Sequence, residues 1–205
     1  MKSISVLAVR LSLLFLALSV SAFAVQMERD TEAVFTFPVY ENGEVVKPMM
    51  MVEGASASLT RTSGGISAAV RAHGLPAGHA VTMWLVSFNH PEYCTDNVCD
   101  EDDVLPPPGN LDAGVGLHFL DGQVVNALGD ALFIGSLANH NNDYAVFGPG
   151  IEDAFHAELH IVLRSHGPAS DHHDILTAQL NSMNGGCDPE PPHAPCQDLQ
   201  FAVFK

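Results

Sequence analysis

The residues with the greatest capacity for chemistry lie late in the chain. ELHIVLRSHGPASDHHD, from Glu158 to Asp174, holds four of the eleven histidines and two aspartates, and His156 lies just upstream. Imidazole nitrogens beside carboxylates suit zinc or copper(II). The stretch also alternates as a strand does, and alternate side chains of a strand share a face. Phe155, Ala157, Leu159, Ile161 and Leu163 read as the core face, and His156, Glu158, His160, Val162 and Arg164 as the other. Two histidines four residues apart on one strand lie roughly 13 Å apart, too far to share an ion without help from a neighbouring segment. His166 is expected in the following turn, with His172 and His173 in the next loop. The candidate metal ligands are therefore His156, His160 and His166, with His118 as a further ligand from a distant segment. The competing reading is a polar strand face and a solvated loop, with His118 a core histidine within an apolar strand.

Other polar clusters carry weaker patterns. Asp96, Asp100, Glu101, Asp102 and Asp103 place five carboxylates within eight residues. Hard oxygen ligands at that density suit calcium, but the glycine of an EF-hand loop is missing, so a solvated acidic loop competes with a calcium site. Asn139 to Asp143 is a polar loop read either as a ligand site or as a surface turn. There is no G-x-S-x-G elbow, phosphate loop or dinucleotide fingerprint. Trp84, the single tryptophan, reads as a core anchor.

The elements that must position these residues are strands. Short β-patterned runs dominate: Ala33 to Tyr40, Ala55 to Thr62, Ile66 to Ala72, His79 to Phe88, Val115 to Leu120, Gln123 to Ala127, Ala131 to Ala138, Phe155 to Arg164 and Asp198 to Phe204. Asp121-Gly122 reads as a hairpin turn. The run His79 to Phe88 is apolar on both faces and is expected to be a central buried strand. The one helical candidate is Asp174 to Leu180. The fold class this implies is all-β: an antiparallel Greek-key β-sandwich or barrel of about nine strands, forming a single domain over residues 25–205.

The N-terminus and the cysteines indicate a compartment. Lys2 and Arg10 flank the start of an apolar run, Leu11 to Val20, and Ala22-Phe23-Ala24 has signal-peptidase spacing. Residues 1–24 are read as a signal peptide, which makes the protein secreted or periplasmic with no transmembrane segment after cleavage. Removing them leaves six basic residues against 24 acidic ones, a formal charge of −18. That charge repels nucleic acid and anionic lipid. The four cysteines fall in two close pairs, Cys94 with Cys99 and Cys187 with Cys196. An oxidising compartment favours disulfides, and three pairings are available. Local pairing, one staple per loop, is the expected one, with each ring contributing about 2–3 kcal/mol.

Short motifs carry a resemblance. Gly74-Leu75-Pro76-Ala77-Gly78-His79 resembles the G-L-x-x-G turn of copper/zinc superoxide dismutases and of the related CHRD domains, both antiparallel sandwich or barrel folds. Leu159-His160-Ile161 with His166-Gly167-Pro168-Ala169 is similar to the A-H-I-H-G-P-A core of CHRD domains, with five residues inserted. Phe88 to Cys94 and Arg164 to Pro168 resemble the F-N-x-P-E-x-C and R-x-H-G-P segments of a group of uncharacterised exported bacterial proteins. The metal histidines of the dismutase strand align with Ala80, Met83 and Leu85, so the resemblance implies the fold and not the dismutase activity. The function expected is an exported, non-enzymatic binding or structural module of unknown ligand, with a metal ion or an extracytoplasmic protein as the candidate partner. The alternatives are a histidine-dependent metal-binding protein or metalloenzyme holding zinc or copper, or a cell-surface interaction module.

Overall fold

The computed structural model describes residues 26–187 and 196–205; the signal-peptide reading of residues 1–24 lies outside them. Twelve strands form among the described residues: β1 (Met27–Glu32), β2 (Phe35–Thr36), β3 (Val39–Glu41), β4 (Glu44–Lys47), β5 (Ser56–Thr62), β6 (Gly65–Ala72), β7 (His79–Phe88), β8 (Val115–Val124), β9 (Ala131–Ala138), β10 (Ala145–Phe147), β11 (Glu158–Pro168) and β12 (Gln197–Phe204). All pairings are antiparallel. A four-stranded sheet, β1-β5-β6-β9, faces a six-stranded sheet, β10-β8-β7-β11-β12-β2, and β3 pairs with β4 as a separate hairpin. The chain is an all-β sandwich; it crosses between the sheets at β1–β2, returns to the first sheet at β5 after the β3–β4 hairpin, and crosses again at β6–β7, β8–β9 and β9–β10.

The strand count exceeds the expected nine for identifiable reasons. Ala33 to Tyr40 divides into β2 and β3, while β1, β4 and β10 carry weak or exposed patterns. In the other direction, Val115 to Leu120 and Gln123 belong to one strand, because Asp121-Gly122 does not turn. Both residues stay in register with β7, opposite Met83 and Thr82. Gly122 is needed for close approach instead: a Cβ there would collide with the carbonyl of Leu180 in the helix above it. Asp121 accepts from the Ile134 amide at 2.9 Å and so ties β8 to β9 in the opposite sheet.

β7 is buried on both faces, as its two-sided apolar pattern implies. Val81, Met83 and Leu85 join Leu59, Phe133, Leu159, Ile161 and Leu163 in the core between the sheets. Trp84, Val86 and Phe88 point the other way, into a second apolar cluster with Val115, Leu117, Cys94 and Cys99. The outer face of the six-stranded sheet is therefore covered, forming a third layer. That cover consists of α2 (His173–Asn181), the loop after it, and the Asn89–Asp112 segment with its short α1 (Glu101–Val104). Both expected staples form, Cys94–Cys99 and Cys187–Cys196, and the described residues hold no free cysteine. No helix among the described residues is long and apolar enough to cross a membrane.

Candidate functional site

The densest chemistry lies where β7, β11 and the loop after α2 meet. Thr82 pairs with Arg164 across β7 and β11, and a register shift after Ser165 continues β11 to Pro168. His166, expected in a turn, is thus a strand residue facing the outer cover, and it is 2% exposed. Its Nε2 lies 2.8 Å from Thr82 Oγ1, and its Nδ1 lies 2.8 Å from the Gly185 carbonyl. Trp84 Nε1 donates to the same Thr82 oxygen at 2.6 Å. A carbonyl only accepts, so Nδ1 carries the ring proton and Nε2 accepts from the Thr82 hydroxyl. Every hydrogen then runs one way along the chain Trp84, Thr82, His166, Gly185. Burial holds the His166 pKa below its usual 6.5, against the pull of the Gly185 hydrogen bond; the nearby Arg164 charge also lowers it, and Asp198 opposes. His166 is a neutral imidazole with both nitrogens engaged.

The loop after α2 is held onto this spot by side chains. Buried Gln179 of α2 donates to the carbonyls of His166 and Pro168 at 3.1 and 3.0 Å and accepts from the Ser170 amide at 2.9 Å. Arg164 donates to the Met183 carbonyl at 3.1 Å and to Asp198 at 2.7 Å. The result brings both sulfurs of the second disulfide beside the imidazole. Cys187 Sγ is 3.5 Å and Cys196 Sγ 3.4 Å from His166 Nδ1. Among the described residues, His166, Cys187 and Cys196 are the group of His, Cys and acidic side chains whose ligand atoms converge, all within 4.8 Å of one another.

The other candidate histidines are placed apart from this group. His156 precedes β11 rather than lying in it; it is 80% exposed and bonded to Asp153 at 2.7 Å. His160 shares the outer face with Glu158, as the alternation implies, and its Nε2 meets Glu158 Oε1 at 2.8 Å with the ring against Phe88. Six residues of strand separate His160 from His166, roughly 20 Å at the usual rise. His118 sits on β8 opposite Leu85, in the core between the sheets; it is fully buried, and neither ring nitrogen has a hydrogen-bond partner. Burial lowers its pKa, so it too is neutral. Sequence reading had no signal for the Cys187–Cys196 contact, since the partners lie 21 and 30 residues from His166.

In the acidic loop, Asp103 is fully buried. It accepts from the Thr95 amide and hydroxyl at 2.9 Å each and from Asn110 Nδ2 at 2.8 Å. Burial alone would raise its pKa, but the hydrogen bonds from Asn110, Thr95 and the Asp100 turn outweigh it and hold the carboxyl below 3.8. This carboxylate organises its own loop. Asp100 caps α1 through the Asp102 amide. In the Asn139–Asp143 loop, Asn139 donates to the Ser63 carbonyl and Asn141 accepts from the Asp143 amide, both bonds within or between turns.

A second region differs in kind. Tyr40, Val45 and Val46 on the β3–β4 hairpin, and Met49, Met50 and Met51 after it, are 46–64% exposed. The base of this segment is tied to β2 by hydrogen bonds between Thr36 and Met50 and by a bridge between Phe35 and Met51. An open groove beside it is lined by Asp30, Glu32, Phe35, Met49 and Phe201. No family model, no curated protein and no solved structure matches this chain.

Proposed function

We propose that the chain is an exported, non-enzymatic β-sandwich that binds an extracytoplasmic protein through its β3–β4 face. The observation that carries the reading is the concentration of exposed apolar side chains there: Tyr40, Val45, Val46 and the methionine triplet. A two-stranded hairpin is marginal alone, and large exposed apolar patches on folded proteins mark interaction surfaces. The partner is a protein segment that is apolar and basic. Glu41 and Glu44 sit at the hairpin tip and Asp30 and Glu32 line the adjoining groove, outnumbering Lys47 on β4 and Lys205 in the groove lining, and the chain carries a formal charge of −16. The same charge disfavours a second copy on this face. Export is supported by the signal-like N-terminus together with two disulfides in a small domain. The glycine-turn and H-G-P motifs support kinship with exported CHRD-like sandwiches.

The test uses a fluorescein-labelled Lys/Leu peptide and its Glu/Leu counterpart, read by anisotropy at low and high salt. The basic peptide binds and the acidic one does not. Substituting Tyr40→Ser, Val45→Ser and Val46→Ser together weakens binding at least tenfold while the circular dichroism spectrum is unchanged. Equal binding by the triple variant overturns the reading, since charge alone would then explain the contact.

A further inference from the structure

The His166 centre carries an inference independent of the hairpin. We propose that His166, Cys187 and Cys196, with the disulfide reduced, form a zinc site. Zinc bonds of about 2.3 Å to sulfur and about 2.0–2.1 Å to nitrogen in a tetrahedron put the two ligand atoms roughly 3.6 Å apart. His166 Nδ1 already stands 3.5 and 3.4 Å from the two sulfurs. Two edges of the ligand triangle are preformed while the third is closed by the S–S bond. The tetrahedron needs that bond opened and the sulfurs moved to roughly 3.8 Å, and it needs Nδ1 freed of its proton and of the Gly185 carbonyl 2.8 Å away. Both cysteines are partly exposed, so water reaches the fourth position.

The imidazole is held in a setting that serves both states. With the disulfide closed, Nδ1–H donates to Gly185 and Nε2 accepts from Thr82. A metal on Nδ1 requires the other tautomer, in which Nε2–H donates outward to a fixed acceptor. Thr82 Oγ1 supplies that acceptor. It has two lone pairs, for Trp84 Nε1–H and for His166 Nε2–H, and its own hydrogen turns to the Arg164 carbonyl 3.4 Å away. No buried donor is stranded in either tautomer.

The steps balance. A dithiol reductant gives two electrons and two protons to the Cys187–Cys196 bond and leaves as its own disulfide. Zn2+ then replaces the two thiol protons, which pass to solvent, while the imidazole proton moves from Nδ1 to Nε2. Two thiolates and one neutral imidazole cancel the dication, which suits a buried ring that burial keeps uncharged.

The experiment uses the chain with Cys94→Ser and Cys99→Ser, so that only one pair of thiols is present. After phosphine reduction, anaerobic titration with Co2+ gives sulfur-to-cobalt charge-transfer bands and tetrahedral d–d bands that saturate at one ion per chain and are bleached by Zn2+. The oxidised chain gives neither. His166→Gln weakens Co2+ binding at least tenfold and shifts the d–d bands. Because that variant disturbs a buried network, the unaltered ring supplies a second readout: Zn2+ protects Cys187 and Cys196 from alkylation in the folded, reduced chain. Three results overturn the proposal. They are no Co2+ bands from a reduced chain whose circular dichroism is native, bands undiminished in His166→Gln, or equal binding by the oxidised chain.

Discussion

The two disulfides staple the same layer of the molecule, the cover over the outer face of the six-stranded sheet, yet they sit in different chemistry. Cys94–Cys99 spans a Cα–Cα distance of 5.0 Å and packs into the apolar cluster of Trp84, Phe88, Ala113 and Val115. Cys99 Sγ lies 3.7 Å from the Pro91 carbonyl. Cys187–Cys196 spans 5.3 Å and lies against the imidazole of His166. Ring size and sequence spacing make the two look alike. What distinguishes them is which side chain each sulfur touches: the first meets groups that only exclude water, and the second meets a ring nitrogen that binds protons and metals. Cysteine chemistry is set by such surroundings.

Removing the staples one at a time is the strongest way to break this comparison. Replacing either pair by alanine is expected to cost about 2–3 kcal/mol, read as a shift of the urea midpoint by circular dichroism. Only loss of Cys187–Cys196 changes the His166 ring resonances in a nitrogen–proton NMR spectrum; movement of those signals in the Cys94/Cys99 variant as well would erase the distinction. Next in size is Asp103, which organises the loop of the first staple. Asp103→Ala strands the Thr95 amide and hydroxyl, and about 1–3 kcal/mol is expected for losing buried, charge-assisted hydrogen bonds. Because the folded Asp103 carboxyl titrates below 3.8, its contribution is complete above that value and is lost as pH falls through the depressed one. Acid urea titrations of the variant should therefore lose that part of the pH dependence.

The histidines sharpen the comparison from the other end of the pH scale. His118 and His166 titrate below 6.5 when folded, so the unfolded chain binds more protons there. Stability is full above 6.5 and declines as pH drops beneath it, until the folded values are reached. His118→Leu should flatten that decline without touching either staple; a decline of unchanged slope would remove His118 from the account. The smallest effect is expected at His156, whose side chain is 80% exposed and bonded to Asp153. His156→Ala should stay within about 0.5 kcal/mol.

Much of this architecture is readable along the chain. The two-sided apolar run of β7 and the alternation of Leu159, Ile161 and Leu163 in β11 appear in the core as their periods require. Local cysteine pairing follows from the close spacing within each pair. The misreadings have physical causes. Asp121-Gly122 has turn composition, but its glycine answers to a helix packed on the strand's backbone from a segment nearly sixty residues later. His166 has the look of a turn residue because it precedes Gly167-Pro168, yet a bulge carries β11 on until Pro168 pairs with His79. The neighbourhood of His166 and the second disulfide is made by α2 folding back across the sheet and by Gln179 pinning it there. Nothing local in the sequence encodes that return, whereas period-two burial is encoded at every residue of a strand.

The single tryptophan has a consequence of its own. Trp84 shares one hydroxyl oxygen with His166, and its ring packs edge-on against Phe119. Indole emission responds to hydrogen bonding at its nitrogen and to a charged imidazole nearby. The protein therefore carries an optical gauge wired to the state of its buried histidine. With one indole in the chain, the gauge has no background from a second tryptophan.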